Sequence, residues 1–95
     1  MTTYRFHSDR HGDSVTVLVH AGTVTSDIEL LVNGREVGFG QIKGGETADL
    51  DAEFPTSPPT PLHVTVRRPK HDPDPGCRLR VGGVEQVWDV SSGEL

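Results

Sequence analysis

The chain has 95 residues, 33 % of them hydrophobic and 24 % charged, with a formal net charge of −5. That length holds one domain and leaves no room for a second core, so residues 1–95 are read as a single unit. The acidic balance excludes a general nucleic-acid binder, which needs a basic face, and no stretch approaches the roughly twenty apolar residues of a membrane span.

Period-two alternation dominates the chain and helical periodicity is absent. A short first strand, Thr3–His7, turns Tyr4 and Phe6 inward. In Ser14–His20, Val15, Val17 and Val19 share one face while Thr16, Leu18 and His20 share the other. In Asp27–Asn33 the inward set is Ile28, Leu30 and Val32. Asn33-Gly34 follows, the strongest short-range hairpin signal, because a type I′ turn needs positive φ at both central residues. An unbroken ladder from that turn sets Val32 against Arg35, Leu30 against Val37, and Ile28 against Phe39. Val37 and Phe39 are therefore expected in the core.

The segment Thr47–Phe54 alternates most cleanly. Ala48, Leu50, Ala52 and Phe54 point one way, and Thr47, Asp49, Asp51 and Glu53 the other. Leu62, Val64 and Val66 repeat the pattern, with His63, Thr65 and Arg67 outward. Between them, PTSPPTP (Pro55–Pro61) cannot donate a regular ladder and reads as an extended loop, as does PKHDPDPG (Pro69–Gly76). A last hairpin turns at Gly82-Gly83, setting Val81 against Val84 and Arg80 against Glu85. Leu79, Val84, Trp88 and Val90 join Cys77 on its inner face. The fold expected is all-β, an eight-stranded antiparallel β-sandwich, with a closed barrel as the alternative. The two proline-rich loops are expected to cross between its sheets.

The order VHAGTVTSDIELLVNGREVG, IKGGETADLDAEF, LHVTVRR and CRLRVGGVEQVWDV resembles one β-sandwich domain of the Fas apoptotic inhibitory molecule family. The matching residues are His20, Gly22, Asn33, Gly34, Arg35, Glu36, Gly45, Glu46, Thr47, Gly82 and Gly83, and the likeness spans about residues 14–90. Proteins of that family are similar to two such domains in tandem, with aromatic-rich strands where this chain has Val and Ala. The resemblance implies an eight-stranded antiparallel sandwich without enzyme activity that acts through protein contacts. An animal apoptotic role does not carry over to a lone domain whose Val-, Arg-, Asp-, Gly- and Thr-rich usage fits a high-GC bacterial genome.

Several residues have side chains capable of chemistry. HSDRHGD crowds His7, Asp9, His11 and Asp13 into seven residues, and imidazole with carboxylate suits a divalent transition metal. A turn-rich segment does not by itself converge the two rings, so whether these four bind a metal is open. HDPDPG (His71–Gly76) adds another His and two Asp, held extended by its prolines. The Asp49, Asp51, Glu53 row sits at period two, which makes a solvated face or an edge-strand guard rather than an encircling calcium loop. Cys77 reads as buried and inert, and Trp88 as core. No nucleophile elbow or phosphate loop occurs. One cysteine and no N-terminal apolar segment point to the cytoplasm.

These features lead to a non-enzymatic protein-interaction module that needs no cofactor. It would engage a protein partner, or itself, through an edge strand, with neither nucleic acid nor membrane as partner. The alternative is a small-ligand or metal-binding domain using the His7–Asp13 segment.

Overall fold

The computed structural model describes residues 2–10, 12–68 and 75–88. All regular structure among them is β-strand. β1 (Thr2–Arg10), β2 (Asp13–Ala21), β3 (Thr25–Val32) and β4 (Arg35–Lys43) form one antiparallel sheet in chain order. β5 (Thr47–Phe54), β6 (Thr60–Arg67), β7 (Gly76–Val81) and β8 (Val84–Trp88) form the other, again in chain order.

Each sheet is an up-and-down meander, which corrects the expected role of the proline-rich loops. They join neighbours within the second sheet, β5 to β6 and β6 to β7. Proline ends a ladder but does not require the chain to change sheets, and β5 and β6 stay in register with Ala48 opposite Val66 and Leu50 opposite Val64. The change of sheet falls instead at residues 44–46. There Glu46 N donates to Lys43 O (3.0 Å), Lys43 N donates to the Glu46 carboxylate (2.6 Å), and Gly45 takes φ +84°. Gly45 N also donates to Arg68 O (2.7 Å), which ties the corner to the end of β6. Among the described residues no ladder joins β4 to β5 or β1 to β8, so the sheets do not close into a barrel.

The inner faces of the two sheets bury one continuous hydrophobic cluster. Phe6, the alternate valines of β2, Ile28, Leu30, Val32 and Ile42 come from the first sheet. Phe54, Leu62, Val64, Val66, Cys77, Leu79 and Val81 come from the second. Tyr4, Ala48, Leu50 and Ala52 pack against its margin. The faces expected from alternation are thus the faces found on β1, β2, β3, β5, β6 and β7.

The hairpin at Asn33-Gly34 departs from expectation after its first pair. Both turn residues have positive φ, +53° and +79°, and Val32 faces Arg35 as the turn dictates. Leu31 then faces Glu36, but Leu30 faces Gly38, so one extra residue, Val37, is inserted in β4 as a β-bulge. Beyond it the faces are exchanged. Gly38 and Gly40 lie opposite Leu30 and Ile28, while Phe39 lies opposite Glu29 on the outer face and is 61 % exposed. Glycine suits both inner positions, because a Cβ at Gly38 would already be in contact with Leu30 (3.4 Å) and one at Gly40 with Leu50 from the other sheet (3.6 Å).

The final hairpin keeps its expected register, with Val81 opposite Val84 and Arg80 opposite Glu85. Val84, on the terminal strand of its sheet, is nonetheless 64 % exposed, although its partner Val81 is buried in the core. Val90 and the side chains of residues 85–88, Trp88 included, lie outside what is described. Gly34→Val should lower stability by more than about 1 kcal/mol, since a β-branched residue is strained at φ +79°. A urea midpoint unchanged from the parent would contradict it.

Candidate functional site

The histidine-rich segment does not assemble as a loop. β1 runs on through Asp9 and Arg10, with Asp9 opposite Ser14 and Arg10 opposite Asp13, so His7 and Asp9 are strand residues on the outer face of the first sheet. His7 Nε2 lies 3.0 Å from Asp9 Oδ1, and its Nδ1 lies 2.8 Å from Thr16 Oγ1 and 3.3 Å from an Arg5 Nη. Asp13 is drawn elsewhere and accepts a hydrogen bond from Asn33 Nδ2 (3.0 Å). His7 and Asp9 thus share strand contacts and Asp13 turns to the end of the next hairpin, while His11 lies outside the described residues. Among the described residues no three His, Cys, Asp or Glu side chains are grouped to hold a metal ion. His71, Asp72 and Asp74 also lie outside them.

The same outer face carries a second chain of contacts. Thr3 Oγ1 is 3.0 Å from His20 Nδ1, and His20 Nε2 is 2.7 Å from Glu29 Oε2, spanning β1, β2 and β3. In both chains one ring N–H, on Nε2, satisfies every contact, with Nδ1 accepting.

On the second sheet the acidic row is not merely solvated. His63 sits across from it on β6, with Nδ1 2.5 Å from Asp51 Oδ1 and Nε2 3.0 Å from Asp49 Oδ1. Both ring nitrogens face carboxylates, so both must carry a proton to donate, which is the imidazolium form. The hydrogen bonds to Asp51 and then Asp49 accordingly raise the His63 pKa above the ordinary histidine value. Asp49 is held below the usual carboxylate value, chiefly by the Thr65 hydroxyl (2.9 Å) and then by His63. A shallow depression of about 130 Å³ lies on the other side of His63 and Thr65, lined also by Arg78 and Arg80 of β7. The His-Asp pairing arises from register between two strands, with Asp51 directly opposite His63. An Asp-x-Asp row followed by a His-x-Thr row across one loop was the available signal.

This cluster sets a pH dependence. A raised histidine pKa adds stability fully present below the unfolded value, about 6.5, and lost as pH rises through the folded value. The lowered Asp49 pKa adds stability present above about 3.9 and lost as pH falls through its folded value. Both groups are largely solvated, so the gain is under about 1 kcal/mol. The melting temperature should fall modestly from pH 6 to 8, and His63→Asn should remove that slope. An equal slope in the variant would contradict the assignment.

Cys77 is buried in the core, where desolvation pushes its thiol well above the ordinary range, as suits an inert packing residue.

What the alternation did not reveal is the edge at β4. This strand is bonded to β3 on one side, and among the described residues no strand pairs with the other. Phe39 stands exposed on its outer face, and the bulge leaves Val37 43 % exposed. The signal was present in VGFGQI, where glycines flank the single aromatic residue.

No protein-family model, curated protein or solved structure matches the chain. Among the described residues no helix is long and apolar enough to cross a membrane.

Proposed function

We propose that the protein is a non-enzymatic, cytoplasmic interaction module, an eight-stranded antiparallel β-sandwich that engages a protein partner through the free edge of β4. The observation that carries this reading is that edge itself: a nine-residue terminal strand of the first sheet, with Phe39 exposed on its outer face. Unpaired N–H and C=O groups on such an edge template another strand, and neighbouring apolar side chains supply affinity. The Fas apoptotic inhibitory molecule resemblance supports the same fold and the same mode of action by contact.

Site-specific photocrosslinking tests it. A photoreactive residue at Gln41, on the outer face of β4, should yield a discrete adduct in cells that is lost with Phe39→Glu. The same probe at Arg5, on β1, should yield none. Equal labelling from the two positions would overturn the reading.

A further inference from the structure

β5 is a terminal strand of the second sheet, laddered to β6 on one side and, among the described residues, to no strand on the other. Its two ends are pinned. Just before it Gly45 N donates to Arg68 O, and at its far end Phe54 is buried in the core. Between those ends the inward side chains are Ala48, Leu50 and Ala52, which pack only against the margin of the core. A strand with so little apolar burial along its middle opens locally before the molecule unfolds. Contacts across to β6 therefore decide how firmly it stays in place.

The outer face of β5 supplies such a contact at its middle. His63 reaches a carboxylate with each ring nitrogen, Asp51 with Nδ1 (2.5 Å) and Asp49 with Nε2 (3.0 Å). A neutral imidazole has one N–H and one lone pair, so losing a proton sets that lone pair against a carboxylate oxygen and costs one of the two bonds. His7 and His20 differ. Each sets one nitrogen against a carboxylate and the other against a threonine hydroxyl, which can donate, so a neutral ring keeps both contacts. The remaining charged groups around His63 are Glu53, next in the acidic row, Arg67 on its own strand, and Arg78 and Arg80, which line the depression beside it from β7. The arginines oppose a proton on the ring, and the two hydrogen-bonded carboxylates outweigh them, since the histidine pKa stays raised.

We propose that His63 is a proton-operated latch on β5: the doubly protonated ring holds the middle of the strand to β6, and the loss of one proton releases it. The side chain of His63 is 35 % exposed, so the proton exchanges directly with solvent. The latch is fully closed below about 6.5 and opens as pH rises through the raised value of the ring. At the acid end it holds until pH falls through the lowered value of Asp49. It acts on the second sheet and is independent of the reading of β4.

Amide hydrogen exchange of the ¹⁵N-labelled full chain tests it, with each rate at pH 6 and pH 8 divided by that of an unprotected amide at the same pH. At pH 8 the ladder amides of residues 48–52 should be at least about tenfold less protected than those at the centres of β2 and β3, the mark of local opening. Their protection should fall about two- to fivefold from pH 6 to pH 8, the range an exposed ion pair supplies. His63→Asn should abolish that fall. Asp51→Asn should abolish it too while leaving the histidine in place, because an amide N–H can donate to the lone pair of the neutral ring. If the β5 amides were as protected as those of β2 and β3 at pH 8, the strand would open only with the whole molecule and the latch would be overturned. An equal fall in His63→Asn would overturn the role of the ring, and an equal fall in Asp51→Asn would overturn the need for two protons.

Discussion

Phe6→Ala should lower the unfolding free energy by about 3–5 kcal/mol, whereas Phe39→Ala should change it by no more than about 0.5 kcal/mol. The two phenylalanines look equivalent in the sequence, each odd-or-even partner to a run of apolar residues on a neighbouring strand. Phe6 has no solvent exposure and lies opposite Val17 in the buried cluster, so truncation leaves a cavity that close-packed valines cannot refill. A domain of this size has about 5–15 kcal/mol in total, so Phe6→Ala removes a large share of it. Phe39 faces solvent across from Glu29, and its ring leaves no hole when removed. Paired urea denaturation of the two variants measures the difference. A cost above about 2 kcal/mol for Phe39→Ala would restore the unbulged hairpin, with Phe39 against Ile28.

That contrast marks how far the fold was legible. Alternation placed the inward residues of β1, β2, β3, β5, β6 and β7, because a half-buried strand writes its two faces directly into the chain with period two. Asn33-Gly34 announced its turn for an equally local reason, the need for positive φ. Where one residue is inserted, however, period two reverses its meaning, and nothing in the composition of β4 alone fixes the point of insertion. The pairing itself shows the point, with Leu31 opposite Glu36 and Leu30 opposite Gly38, and it leaves Gly38 and Gly40 in contact range of Leu30 and Leu50. The same limit applies to the site. His63 between Asp49 and Asp51 depends on the β5–β6 register, and the free edge of β4 depends on strand order, which alternation does not encode. The His7–Asp13 cluster shows the converse: residues crowded in sequence were parted once β1 continued through Asp9 and sent Asp13 to Asn33. Proline content, likewise, marked where ladders stop and said nothing of which sheet the chain enters next.

Gly22→Ala should cost about 1–3 kcal/mol, for a reason that a turn signal alone does not supply. Gly22 closes the β2–β3 hairpin with its N–H donated to Thr25 O at 2.9 Å. A Cβ at this position would stand 2.5 Å from that same oxygen, a backbone atom that cannot swing aside as a flexible side chain would. The Gly22 carbonyl is engaged as well, accepting a hydrogen bond of 2.7 Å from an Arg68 Nη. Arg68 in turn exchanges backbone hydrogen bonds with the chain at Gly45 and Glu46, so moving the Gly22 turn strains a tie between the two sheets. The Gly22 turn therefore has a structural use in this chain beyond reversing its direction. Gly44→Ala is the control, because a Cβ there meets nothing within 4 Å, and its effect should stay within about 0.5 kcal/mol. Urea midpoints of the two variants compare them directly. If Gly22→Ala were as mild as Gly44→Ala, the turn would have room to shift, and the Arg68 contact would not constrain the β2–β3 hairpin.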